Sequence, residues 1–108
     1  MNADLIARLR AQLGGPRDGA LLRFSLGTAL LSNGDPAGAI VAFREAVDFD
    51  PTYSAAWKML GKALTEAGDG DGACDAYRQG IEVARTRGDK QVEKEIGVFL
   101  RRLQKSAD

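Results

Sequence analysis

The sequence predicts an all-α protein, an antiparallel helix-hairpin solenoid of about six helices, and three observations predict it. First, the chain nearly repeats itself after 34 residues. Leu26-Gly27 and Leu60-Gly61 stand at that separation, and the same offset pairs Leu30 with Leu64, Gly34 with Gly68, Ala39 with Ala73 and Phe43 with Tyr77. Second, apolar residues recur at helical spacing in the segments flanking the repeats, as in Leu5, Ile6, Leu9 and Leu13. Third, Asn33-Gly34-Asp35-Pro36 and Gly68-Asp69-Gly70-Asp71 carry the residues that stop one helix and start another. A period of this length is the mark of stacked helical hairpins, each burying its apolar face on a neighbour.

The elements follow in order, within one domain spanning 1–108. Residues 1–15 hold a first helix, about Ala3 to Leu13, closed by Gly14-Gly15-Pro16. Thirty-four residues before the second helix of repeat one, it sets Leu5 at the place of Ala39 and Leu9 at that of Phe43. It therefore reads as a lone second helix covering repeat one. Repeat one spans 20–53 and repeat two 54–87. Gly27 and Gly61 lie inside helical patterns, where Gly costs about 1 kcal/mol relative to Ala. Such a residue implies close approach of a neighbouring helix backbone, with Ala39 and Ala73 as small partners and Phe43 and Tyr77 filling the volume alongside. Asp50-Pro51 ends its helix, because proline disfavours the α conformation in the residue before it. Repeat two has Arg85 in place of that proline, so its second helix should run to about Arg87. Residues 88–108 form a terminal capping helix, about Asp89 to Lys105, with an apolar stripe of Val92, Ile96, Phe99, Leu100 and Leu103. A strict 34-residue frame would put Glu95 where Gly27 and Gly61 stand. Charge does not suit that crossing, so a one-residue shift that places Ile96 there is expected. Six helices then make three antiparallel pairs.

These residues resemble the tetratricopeptide repeat family. Its first helix reads Trp-x-x-Leu-Gly-x-x-Tyr, and Trp57 to Leu64 follows it except for the final Leu; the earlier copy has Arg23 in place of Trp. Its second helix asks for Ala-x-x-x-Phe and a later Pro. Ala39, Phe43, Ala46 and Pro51 supply this in copy one, and Ala73 and Tyr77 in copy two, where Gly80 replaces the small Ala. The match covers roughly Ala20 to Arg87.

The resemblance implies a protein–protein interaction module, an adaptor or scaffold, in which the first helix of each pair lines a concave groove for a peptide or partner helix. Carried onto this sequence, the groove is lined by Leu21, Phe24, Thr28 and Leu31 from repeat one, Lys58, Lys62 and Thr65 from repeat two, and Arg101 from the last helix. Leu21, Phe24 and Leu31 are additional to a core side already filled by Leu22, Leu26, Ala29 and Leu30, so something should cover them. A ligand, a terminal helix and a second copy of the chain all remain open. Lys58 and Lys62, four residues apart, share a helix face. They suit a carboxylate, or are simply solvated. Chaperone-binding members grip a C-terminal carboxylate with Lys and Asn on the first such helix. Phe24 and Thr28 face the groove here and no Asn does, so a chaperone clamp is not expected.

Composition narrows the remaining classes. Fifteen basic and fifteen acidic residues give a formal net charge of zero, without the basic surplus a nucleic-acid binder uses against phosphates. The chain has no His, the commonest general base and metal ligand near neutral pH. One cysteine, Cys74, allows neither an intrachain disulfide nor a multi-thiolate zinc site. It reads as a small core hydrophobe. Asp69-Gly70-Asp71-Gly72 fails as a calcium loop because Ala73 and Gly80 stand at later ligand positions. No apolar run of membrane-spanning length occurs, and Asp4, Arg8 and Arg10 interrupt the N-terminal pattern that a signal peptide would need. The expectation is a soluble cytoplasmic protein without cofactor, metal, membrane or nucleic-acid partner. It is not expected to be an enzyme; it should bind a protein or peptide, with homodimerisation as the alternative.

Overall fold

Helix boundaries follow from the turn residues. The structure, a computed structural model, describes residues 2–107; Met1 and Asp108, the ends of the expected domain, lie outside the described residues. Six helices follow one another: α1 (Asn2–Ala11), α2 (Ala20–Ser32), α3 (Pro36–Phe49), α4 (Ser54–Glu66), α5 (Gly70–Arg87) and α6 (Lys90–Ala107). Gly34, Gly68 and Gly88 take φ of +79, +85 and +74°. That left-handed step lets the following N–H reach back five residues to close the helix. Asp35 donates to Leu30 O at 2.9 Å, Asp69 to Leu64 O at 2.9 Å and Asp89 to Ala84 O at 2.8 Å. Asp35 and Asp69 then cap the next helix, each carboxylate accepting an N–H at 2.9 Å, from Gly38 and Gly72. Asp50, extended at φ −142°, ends α3 before Pro51 as expected.

α2–α3 and α4–α5 are antiparallel hairpins, and α4 also packs on α3, α6 on α5 and α1 on α2. α4 touches both α2 and α6, so these three share one layer. The molecule measures 41 × 28 × 19 Å, and its least dimension is about two helix diameters. The described residues thus form two complete hairpins with one unpaired helix at each end, rather than three pairs.

The core explains the repeated glycines, with one correction. A β-carbon on Gly27 would lie 2.6 Å from Cε1 of Phe43, and one on Gly61 would meet the Tyr77 ring in the same way. The space left by each missing side chain is filled by one edge of an aromatic ring from the other helix of the hairpin, not by a second backbone. Phe43, Ala39, Ala63 and Ala73 are fully buried.

Two registers differ from expectation. In α1, Ile6 is buried and Leu5 is 41% exposed, because α1 has only α2 to pack on and turns its Ile6–Leu9–Leu13 side to the core. In α6 the shift is two residues, not one. α5 has 18 residues against 14 in α3, while the turn before α6 is two residues and that before α4 is four. Ile96, fully buried, therefore takes the place of Leu60, and Gly97, rather than Ile96, takes the place of Gly61. Ile96 is seated against Gly80, where an added β-carbon would lie 2.9 Å from its Cδ1 and 3.1 Å from Trp57 Cβ.

Candidate partner-binding site

The first helices of successive pairs bring their C-terminal halves together around a cleft of about 500 Å³. Leu31 comes from α2, Met59 from α4, Tyr77 from α5 and Phe99 from α6, with Ser32, Lys62, Thr65 and Glu66 completing the lining. Phe99 stacks on Tyr77 with ring centroids 6.0 Å apart. Lys62 Nζ lies 5.3 Å from the Phe99 centroid, within cation–π range. An apolar floor thus meets a cation that an aromatic ring already positions. Burial raises the Tyr77 phenol pKa above its ordinary value, with the Thr65 hydroxyl acting in the opposite sense.

Of the eight residues the sequence put in the groove, Leu31, Lys62 and Thr65 meet in this cleft, and the others lie elsewhere. Phe24 is half-buried between Phe43 and Tyr53, at centroid distances of 5.8 and 4.9 Å, so it wedges the α2–α3 hairpin against the start of α4. Leu21 stands 69% exposed at the first turn of α2. Thr28 donates its hydroxyl to Phe24 O at 3.0 Å, as Thr65 does to Gly61 O at 2.8 Å; both are committed to their own helices. Lys58 reaches Glu95 Oε1 on α6 at 3.5 Å, so its charge is engaged. Arg101 lines a different cleft between α5 and α6. Met59 and Phe99 also line the cleft and were not among the expected groove residues. The available signal was an apolar residue at each position beyond the Leu60–Leu64 core set.

Arg23, where the repeat pattern calls for Trp, has found another way to hold the hairpin. Its Nε and Nη2 donate to the Asp18 carboxylate at 2.9 and 2.7 Å, its Nη1 sits 2.9 Å from Glu45, and its guanidinium lies 5.6 Å from the Phe49 centroid. Asp18 also accepts the Gly14 N–H at 2.8 Å. The hydrogen bonds from Arg23 and then from Gly14 hold the Asp18 carboxyl far below the usual carboxylate range. In repeat two Trp57 donates its indole N–H to Pro51 O at 2.8 Å.

Tetratricopeptide repeat family models match residues 3–54 and 30–89. The chain belongs to the tetratricopeptide repeat family. A TPR repeat-containing protein of Pseudomonas aeruginosa is 48% identical over 102 residues, which cover 94% of this chain and 97% of that one. The solution structure of a Bordetella parapertussis protein superposes with a TM-score of 0.82 at 47% identity, covering 94% of this chain and 89% of that one. The crystal structure of a tetratricopeptide repeat domain protein from Salinibacter ruber gives 0.75 at 30% identity, covering 81% and 97%. Tetratricopeptide repeat domains are in general protein–protein interaction modules, and the fold is generally not a catalytic one. No helix among the described residues is long and apolar enough to cross a membrane.

Proposed function

We propose that this tetratricopeptide repeat protein is an adaptor that binds a peptide or helix of another protein in the cleft between α2, α4 and α6. The observation that carries the reading is the Leu31–Met59–Phe99 floor with Lys62 at its edge. An apolar side chain would fill the floor, and a neighbouring carboxylate would meet Lys62. The protein acts by binding rather than by catalysis, in the cytoplasm, without a cofactor and without nucleic acid or membrane as partner. Lys58, held by Glu95, is left out of the binding set, as are Phe24 and Arg101.

The test compares the proteins retained by the wild type with those retained by a Leu31→Glu, Lys62→Glu double variant, followed by NMR titration of the peptide so identified. Lys62 is exposed and Leu31 partly buried against the core, so a melting curve of the variant accompanies the comparison to establish that it is folded. Loss of the partner, with amide shifts at Leu31, Met59 and Phe99, is expected. A partner held equally by the variant rules this cleft out. Leu21, at 69% exposure, favours a second reading in which the chain assembles with itself. Light scattering at several concentrations decides that one, and a constant monomer mass rejects it.

A further inference from the structure

α6 has the features of the first helix of a hairpin, and among the described residues no second helix follows to pack on it. In the two complete hairpins, a glycine on the first helix receives an aromatic ring from the second: Gly27 receives Phe43 and Gly61 receives Tyr77. Gly97 stands at the equivalent place on α6, one residue after the buried Ile96, as Gly61 follows Leu60. Nothing fills it except a side-chain nitrogen of Arg101, Nη1, which would be 3.5 Å from an added β-carbon. The position opens into a cleft of about 640 Å³ between α5 and α6, with Ile81, Gly97 and Val98 as its apolar floor. A glycine in a helix interior costs stability relative to Ala, and among the described residues no other helix approaches this one closely.

The charges around that floor say what it would receive. Arg85, Lys90, Lys94 and Arg101 surround it against a single carboxylate, Glu93, which Arg85 already holds at 3.3 Å. Lys90, Lys94 and Arg101 make no ion pair among the described residues. A second copy fits poorly. Its α1, the helix that would continue the stack, brings Arg8 and Arg10 and no aromatic, and α6 against α6 sets cation on cation.

We propose that this edge is a second docking surface, separate from the α2–α4–α6 cleft, which takes an acidic amphipathic helix of a partner protein with a Phe or Tyr seated on Gly97. The chain's own second helices give the pattern of that ligand. A small residue precedes the aromatic by four and another follows it by three, as in Ala39, Phe43, Ala46 and in Ala73, Tyr77, Gly80. The small residues let the backbone approach, the ring fills the glycine, and carboxylates on the flanks of the helix meet Lys90, Lys94 and Arg101.

The probe is a synthetic peptide of residues 70–87 carrying Arg78→Glu, Arg85→Glu, Arg87→Glu and Cys74→Ser, titrated into the full chain to about 1 mM by NMR and calorimetry. Expected are shifts centred on Ile81, Gly97 and Val98, and affinity that falls as salt rises. Tyr77→Ala in the peptide should weaken binding tenfold or more, as should Gly97→Leu or Lys94→Glu in the protein. Gly97→Leu meets only a flexible arginine, so its melting temperature should equal or exceed that of the wild type. A Lys94→Arg variant should retain binding. The proposal is overturned if the peptide does not bind, if Tyr77→Ala makes no difference, or if the shifts fall on Leu31 and Phe99. A short DNA duplex that binds here, sensitive to Lys94→Glu but indifferent to Gly97→Leu, would make the edge a phosphate-binding surface and overturn it equally.

Discussion

Gly27, Gly61 and Gly97 are chemically identical and sit at matching places on three helices, yet their substitution should give opposite signs. At Gly61 any side chain meets the Tyr77 ring, which is itself buried and cannot retreat. Gly61→Leu should cost at least about 1–3 kcal/mol through overpacking, and Gly97→Ala should gain up to about 1 kcal/mol through helix propensity alone. Urea denaturation of both variants checks the pair, and a stable Gly61→Leu would remove the ring-on-glycine account. Phe43→Ala leaves the complementary hole and should cost about 3–5 kcal/mol, enough to unfold much of so small a chain at ambient temperature. At this scale the sequence was readable where the period held. Gly27 and Gly61 announced themselves by their cost, and Gly97 escaped because the longer α5 and shorter turn moved it two residues out of frame.

Between elements, the turns were legible and the ion pairs were not. Glycine and aspartate at the two repeat turns have few other conformational uses, so their caps could be read directly. Asp69→Ala should lower stability by about 1 kcal/mol through loss of the bond to Gly72, seen as a shift in the urea midpoint without change in slope. Arg23 gave no warning that it would reach back to Asp18 and across to Glu45, since that network depends on how the α1–α2 turn folds against α3. Nor could Lys58 be seen to meet Glu95 while α6 was set in the wrong register. The Asp18 network carries a pH signature. Its carboxyl titrates lower in the folded protein than in the unfolded chain, where the value is about 3.9. The stability it contributes is therefore fully present above that value and is lost as pH falls below it. Melting temperatures followed from neutral pH down through this range should drop less steeply for Asp18→Asn than for the wild type. Parallel curves would mean that the network does not contribute.

For the whole molecule, connectivity sets where it opens first. In a stacked array each helix is held only by its neighbours, so helices with neighbours on one side are the weakest. α1 packs on α2 alone, whereas α4 packs on α2, α3, α5 and α6. Among the described residues of α1 only Ile6 is buried, with Leu9 partly buried beside it, and the turn that follows is tied down by the Asp18–Arg23 pair and the Gly14 amide. Native-state hydrogen exchange should therefore rank α1 lowest in protection and α4 with α5 highest, with α6 between them because α5 and α4 hold one of its sides. Ile6→Ala removes most of what anchors α1 and should speed exchange in α1 and the facing side of α2, leaving α5 and α6 near their wild-type rates. Local opening of this kind separates from global unfolding because its free energy is a fraction of the total. If Ile6→Ala instead accelerated every helix by one factor, the chain would be a single cooperative block, and the nearest-neighbour description of its repeats would not hold at this length.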